Sequence, residues 1–299
     1  MEAQNFFVDN DGHARSGWRV LLFVVAFLIC AKLFEAFVYL LTGLFLKQPL
    51  GNWAFVLGAI ILFGSATLVS WGCGAILEDL SFRAVGWWPH RGWLRNLALG
   101  SIIGAASLLL AAGLTAITRG IQFSFTSAAA PAVERTLITS ALIFIVAGAG
   151  EEALFRGYPL QTLTRAQLAW LGILLTSVPF AAAHLYNPHA SRTFTFVNTV
   201  LAGIWLALAY LRTRSLWFPL GLHWSWNWMQ ASIFGLPVSG IDKLASAPLL
   251  HAMNVGPDWL TGGAYGIEGG AACSIALLIS TLVVWQTKFA ITSPNKSQN

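Results

Sequence analysis

Acidic, imidazole and amide side chains occur inside strongly apolar stretches of this chain. On insertion scales each ionisable group costs about 2.5–3.5 kcal/mol at the centre of a bilayer, so a cluster of them requires a reason. Together they suit proton transfer to and from water and the stabilisation of an oxyanion. The candidate residues are Glu151, Glu152, Arg156, His184, His223 and Asn227.

The spacing of these residues predicts separate roles. Glu152 and Arg156 are four positions apart with the acid first, the favoured order for an ion pair on a helix. Glu151 is turned by about 100° from its neighbour on a helix, so it cannot share Arg156 equally well. A carboxylate set away from a cation in dry surroundings can act as a general base near neutral pH. His223 and Asn227 are also four positions apart, so both donors point to one spot and suit a developing oxyanion.

Each group alone also has a purely structural interpretation. Glu152 with Arg156 would be a packing pair within one helix. His184 would be an interfacial histidine at a helix end, and His223 with Asn227 would link helices by hydrogen bonds. The occurrence of all the groups in three separate apolar stretches favours a shared site.

The composition shows which elements must position these residues. Of the 299 residues, 57% are hydrophobic and only 10% are charged, with a mean hydropathy of +0.68. Soluble domains carry about 25% charged residues, so the bilayer is the solvent here. Since backbone groups in lipid must be paired internally, the apolar runs are helices. The sequence predicts an all-α polytopic membrane protein, a bundle of about eight transmembrane helices near 18–45, 53–76, 95–117, 137–160, 167–185, 194–211, 216–234 and 269–287.

The predicted organisation is a polar tail at 1–17, a helical bundle at 18–287 with a catalytic core at 134–234, and a polar tail at 288–299. With the N-terminus inside, the inner segments hold roughly twice as many Lys and Arg residues as the outer segments. This predicts a multi-pass protein of the plasma or inner membrane with both termini in the cytoplasm. The net charge of +5 comes from scattered residues, which gives no reason to expect a nucleic-acid partner.

Two connections stand out. Residues 78–94 combine charged side chains with three tryptophans, a mixture that suits the lipid headgroup level. Residues 235–268 form the longest connection, which is either a lid or binding element or a loosely ordered connector.

The motifs resemble the CPBP family, the CAAX-processing and bacteriocin-processing intramembrane proteases that are also called Abi proteins. This group includes the Ras-converting CAAX endoprotease and lysostaphin-resistance-type proteins. The resemblance covers residues 151–227. It is carried by the motifs Glu151-Glu152-x-x-x-Arg156, Phe180-x-x-x-His184 and His223-x-x-x-Asn227.

The resemblance implies a role for each of these residues. It implies that Glu151 and His184 activate a water molecule. It further implies that His223 and Asn227 form the oxyanion site. The implied supporting residues are Glu152, Arg156 and Phe180.

The predicted function is therefore that of an intramembrane endopeptidase. Its substrate would be a membrane-associated protein or peptide, with or without a prenyl group. The cleavage would be either CAAX-type processing or the processing of a leader or bacteriocin peptide. No cofactor is required, although zinc remains an alternative, with Glu151, His184 and His223 as ligands. The alternatives from other classes are a proton or ion relay transporter and a non-catalytic immunity or scaffold protein.

One feature of the predicted helices conflicts with a shared site. Glu151 lies toward the cytoplasmic side of the fourth helix, whereas His184 lies at the outer end of the fifth. Either the helix ends differ from those predicted, or the fifth helix is displaced or broken near Pro179.

Overall fold

The structure is a computed structural model that describes residues 7–8, 12–45, 53–242 and 244–287. The predicted C-terminal tail, 288–299, lies outside the described residues, as do residues 1–6 and 9–11 of the predicted N-terminal tail.

Each of the eight predicted apolar segments contains a helix, so the chain is an all-α polytopic protein, and its described residues form one small sheet. The helices are α1 Ser16–Phe45, α2 Trp53–Glu78, α3 Trp93–Ile117, α4 Ala130–Phe155, α5 Tyr158–Arg165, α6 Ala169–His184, α7 Phe194–Thr213, α8 Trp217–Trp228, α9 Asp258–Thr261 and α10 Ala271–Gln286. The strands are β1 Ile121–Phe125 and β2 Leu250–Asn254.

These helices differ in length. Among the described residues, five stretches are long and apolar enough to cross a membrane: Ser16–Gly43, Ala54–Glu78, Trp93–Ile117, Ala130–Arg165 and Phe194–Thr213. Helices α6 and α10 are apolar but have only 16 residues each. Helix α8 has 12 residues and continues into a π-helix at Met229–Ile233.

The fourth predicted helix, 137–160, differs most from the structure. Helix α4 begins earlier and ends at Phe155, and Tyr158 begins the separate helix α5. Pro159 accounts for the interruption because its ring lacks an amide hydrogen and is best accommodated in the first turn of a helix. Pro179, by contrast, lies inside helix α6, which continues to His184 without a break.

The described chain divides into two compact units. The first contains residues up to Trp88 together with Val146–Gly172, and the second contains Pro89–Ile145 together with residues from Ile173 onward.

The core of the first unit joins helices α1, α2 and α5. Phe23, Val69 and Tyr158 are buried together, and Cys30 and Cys73 pack against them. The rings of Phe23 and Tyr158 are stacked with centroids 5.7 Å apart. The cysteines therefore serve as packing residues here, and neither forms a disulfide.

An ion cluster also joins these three helices. Glu78, at the end of α2, accepts a hydrogen bond of 2.8 Å from Arg19 on α1 and one of 2.7 Å from Arg165 on α5. This cluster ties the segment that follows α4 to the first two helices.

The core of the second unit is built on a close approach of α3 and α8. Gly100 and Gly104 on α3 face the backbone of α8, and a Cβ atom at Gly104 would lie 2.3 Å from the carbonyl oxygen of Leu222. From the other side, a Cβ atom at Gly221 would lie 2.3 Å from the carbonyl oxygen of Leu97. Small residues allow this backbone contact, as is usual between membrane helices. Helix α8 carries His223, so this contact also positions a candidate site residue.

We expect Gly104→Ala to destabilise the protein by about 1–3 kcal/mol, because the added methyl group must displace backbone atoms of α8. Gly113→Ala on the same helix is the matched control, since nothing lies within 4 Å of a Cβ atom there. The measurement is reversible unfolding in mixed detergent micelles. Equal stability of the two variants would contradict the expectation.

The connection at 235–268 is folded rather than loosely ordered over its described residues, which exclude Lys243. Its strand β2 pairs antiparallel with β1, from Ile121 opposite Asn254 to Phe125 opposite Leu250. Short 3-10 helices follow at Gly263–Tyr265 and Ile267–Gly269. The sequence predictions did not include the sheet.

Within the 78–94 connection, the first unit contains a 3-10 helix at Phe82–Val85. Trp87 is buried, whereas Trp88 is exposed and lies under the Arg83 guanidinium at 4.6 Å. The predicted position of this connection at the lipid headgroups stays a prediction.

Candidate active site

The first unit contains the acidic part of the candidate site, on the last turns of α4. Arg156 Nη1 donates to Glu152 Oε1 at 3.3 Å, and both side chains are completely buried. This is the ion pair that the spacing predicts. Glu151, one position earlier, is partly buried and lies on a different face of the helix.

Two glycines hold this end of α4 close to α2. A Cβ atom at Gly150 would lie 3.0 Å from the side chain of Leu62, and one at Gly157 would lie 3.2 Å from the hydroxyl oxygen of Ser70. Glu151 and Glu152 therefore lie on a stretch of backbone that fits tightly against its neighbour.

We expect Glu152→Gln to lower the free energy of unfolding by about 3–5 kcal/mol, because it leaves the buried charge of Arg156 without its carboxylate. The double variant Glu152→Gln/Arg156→Met removes both charges and should recover part of that loss. Unfolding in mixed micelles would measure both. A single variant no less stable than the double variant would contradict the proposed importance of the buried pair.

The second unit brings two histidines together around one phenylalanine. His184 is the last residue of α6, and its ring lies 4.5 Å from the ring of Phe180, centroid to centroid. The ring of His223, on α8, meets Phe180 edge to face at 6.2 Å. Phe180 therefore packs against both imidazoles, and His223 is buried.

A backbone carbonyl fixes the tautomer of His184. Its Nδ1 lies 2.8 Å from the carbonyl oxygen of Phe180. A carbonyl oxygen can only accept, so Nδ1 must carry the hydrogen. In the neutral imidazole the lone pair is then on Nε2, which is the arrangement required of a base.

Asn227 lies on α8 one turn after the histidine and is partly buried. The orientation of this helix is set by two tryptophans on its surface. Trp224 Nε1 donates to the carbonyl oxygen of Ala141 at 3.0 Å, and Trp228 Nε1 donates to that of Leu137 at 2.9 Å. These indoles are thus used in packing between α8 and the first half of α4.

Sequence reasoning missed Glu268, which lies in the 3-10 helix before α10. Its Oε2 accepts hydrogen bonds from Ser239, at 2.6 Å from the backbone nitrogen and at 2.8 Å from the hydroxyl. The carboxyl lies close enough to His184 and His223 to interact with their charges. Burial raises the pKa of Glu268, whereas the Ser239 hydrogen bonds and the two histidines act in the opposite direction. No motif marks this residue, and it follows a run of glycines in a long connection.

The alternative with a bound zinc ion names Glu151, which lies in the first unit, and His184 and His223, which lie in the second. Within either unit, no three His, Cys, Asp or Glu side chains of the described residues are arranged to hold a metal ion. That no cofactor is required stays a prediction, with zinc as the alternative.

The structure thus assembles the predicted residues as two sets, one in each unit. The first set is the buried pair Glu152 and Arg156, with Glu151 beside it. The second is Phe180 with His184 and His223, and Asn227 follows on the same helix.

Apolar helices that carry buried acid, guanidinium and imidazole groups define a polytopic membrane protein with ionisable residues among its helices. Comparison with known proteins narrows this class to a family. Residues 133–229 match the family described as "Type II CAAX prenyl endopeptidase Rce1-like". An Escherichia coli protein described as "Uncharacterized 24.3 kDa protein" is 30% identical over 158 residues, which cover 50% of this chain and 67% of that protein. The chain belongs to the CPBP family of CAAX-type proteases, which confirms the resemblance of its motifs.

Proposed function

We propose that this protein is an intramembrane endopeptidase that uses an activated water molecule. The observation that carries the proposal is the grouping of His184 and His223 around Phe180, with the hydrogen of His184 held on Nδ1. This leaves Nε2 of one imidazole as a proton acceptor beside a second, buried imidazole. The chain belongs to a protease family, and peptide hydrolysis is a reaction in which both imidazoles can take part.

In the proposed reaction, Glu151 and His184 take a proton from water, and the resulting hydroxide attacks the scissile carbonyl carbon. His223 and Asn227 stabilise the negative charge on the carbonyl oxygen in the tetrahedral intermediate. The leaving amine then receives a proton from Glu151 or His184 as the carbon–nitrogen bond breaks. No covalent intermediate with the enzyme is required.

The proposed substrate is a membrane-associated protein or peptide. The family description names a CAAX prenyl endopeptidase, which favours a substrate with a prenylated cysteine near its C-terminus. Leader or bacteriocin peptides without a lipid are the competing substrates.

The experiment is cleavage of a quenched peptide panel by the full-length protein purified in detergent. The panel contains one CAAX peptide in farnesylated and unmodified forms, together with leader-type peptides, and mass spectrometry identifies the cleaved bond. We expect cleavage of the farnesylated peptide between the modified cysteine and the next residue. Cleavage of leader peptides alone would keep the protease and overturn the proposed substrate.

Each reaction is repeated with a chelator and with added zinc. Activity unchanged by chelator supports a mechanism that depends on Glu151 and His184 without metal. Activity lost with chelator and restored by zinc would overturn that mechanism in favour of a metalloprotease. No cleavage of any peptide would favour the transporter or scaffold alternative.

We also propose that the protein lies in the plasma or inner membrane with both termini in the cytoplasm, as the distribution of Lys and Arg favours. Reporter fusions at each terminus would test this orientation.

A further inference from the structure

Glu268 is held in place at both its side chain and its backbone. Ser239 donates two hydrogen bonds to the carboxyl, from its amide and its hydroxyl. The backbone carbonyl of Glu268 accepts a hydrogen bond of 2.7 Å from Asn198 Nδ2, which also donates to the carbonyl of Gly270 at 2.9 Å. Asn198 is buried on α7 and accepts in turn from Ser274 at 2.6 Å. The carboxyl therefore has a fixed position relative to the helices of the second unit.

The turn that contains Ser239 lies against the segments that follow both histidines. At Gly240, a Cβ atom would lie 1.9 Å from the carbonyl oxygen of Pro188, in the turn after α6. Gln230, in the π-helix after α8, donates to the carbonyl of Pro237 at 2.5 Å. Glu268 thus belongs to a folded connection that contacts the segments following the two helices that carry the imidazoles.

We propose that Glu268 is a positioning residue for the hydrolytic reaction, a carboxylate fixed by Ser239 that stabilises positive charge on His184 and His223. The inference rests on the proposed function. It extends the candidate site to a residue outside the family motifs and gives the long connection a part in the chemistry.

The physical reason is the low dielectric around the buried imidazole. An imidazole that accepts a proton during the reaction becomes a cation, and a fixed anion nearby lowers the energy of that cation most where water is scarce. The carboxylate needs no direct contact with the substrate for this effect. It therefore acts through the histidines, in the way that a buried acid assists a histidine base in other hydrolases.

The first measurement is the kinetics of Glu268→Gln in the full-length protein with the cleaved peptide. Glutamine keeps the size of the side chain and can still accept from Ser239, but it removes the negative charge. We expect kcat to fall about 10–100-fold with KM changed less than about twofold, because the lost charge acts in the transition state. Ser239→Ala, which removes one of the two donors, should give a smaller decrease in kcat. Glu134→Gln, the same change at an exposed position on α4, is the control.

The second measurement does not need catalysis. Selective ¹⁵N labelling of the six histidines, assigned by single His→Gln variants, gives the imidazole signals of His184 and His223. We expect Glu268→Gln to shift both sets of signals and Glu134→Gln to leave them unchanged. A purely structural role would leave the imidazole signals of a folded Glu268→Gln variant like those of the wild type.

The outcomes separate this inference from the proposed function. Wild-type cleavage with a decreased kcat and shifted imidazole signals in Glu268→Gln supports both. Wild-type cleavage with kcat or the imidazole signals unchanged in Glu268→Gln overturns the role of Glu268 and keeps the protease. Absence of cleavage by the wild type overturns the protease and with it the catalytic part of this inference. In that case the shifted signals alone would establish the charge interaction with the histidines.

Discussion

Glu151→Gln should abolish most of the hydrolytic activity and leave the protein folded. The substitution keeps the shape of the side chain but removes its ability to take a proton from water, and general bases contribute about 10²–10⁴-fold to rates. We expect kcat to fall by that factor with KM nearly unchanged, because the proton moves only in the transition state. Steady-state cleavage of the quenched peptide by the purified protein would measure kcat and KM.

Two comparisons make the Glu151 result specific. Glu134→Gln, at an exposed position of the same helix, should keep wild-type kinetics. Glu151→Asp keeps the carboxylate but shortens the side chain, so it should retain more activity than the glutamine variant. A Glu151→Gln enzyme with wild-type kcat would exclude this residue as the base, and equal losses in all three variants would indicate damage to α4.

Asn227→Ala should lower kcat by about 10²–10³-fold, the usual effect of removing one donor from an oxyanion site. Asn227 follows His223 by one turn on a helix whose rotation is fixed by two indole hydrogen bonds, so the side chain has a defined direction. Because the donor is required for the charged intermediate, the loss should appear in kcat rather than in KM.

Ser225→Ala is the matched control, since it lies on the same helix between these residues. Its hydroxyl donates to the carbonyl of Leu222 and its oxygen faces Gly104 on α3, so it is used in packing. We expect this variant to cleave the peptide at nearly the wild-type rate. If instead Ser225→Ala lost activity and Asn227→Ala kept it, a serine nucleophile would replace the proposed mechanism.

Much of the fold could be predicted because the backbone of a membrane-spanning segment must form its hydrogen bonds within the protein. Long apolar runs must become helices, and all eight predicted runs contain one. The boundaries were less predictable, since the break before Pro159 falls inside a stretch, 137–160, that the sequence analysis assigned to a single helix. The sheet was missed because β1 and β2 have five residues each and lie far apart in the chain. Nothing in the local pattern of either strand identifies its partner.

The parts of the candidate site that depend on contacts within a single helix were predictable. Four-residue spacing on a helix placed Arg156 beside Glu152, and the structure contains that pair. The same spacing placed His184 one turn after Phe180, whose carbonyl accepts the hydrogen of Nδ1. Glu268 could not be found in this way, because its position depends on Asn198 and on the turn at Ser239. The position of such a residue depends on the path of a loop, and a loop sequence has no periodic pattern from which that path can be predicted.

The contact between α3 and α8 has a consequence for how the protein is made. Gly104 and Leu222, which meet in this contact, are separated by more than a hundred residues of chain. During synthesis α3 enters the bilayer well before α8 has left the ribosome, so its glycine face is exposed to lipid or to an insertion factor in the meantime. A chain that stops before Trp217 can insert its long helices but cannot complete this core. Quality-control proteases that recognise an uncovered helix face would therefore have a physical means of distinguishing unfinished chains from finished ones.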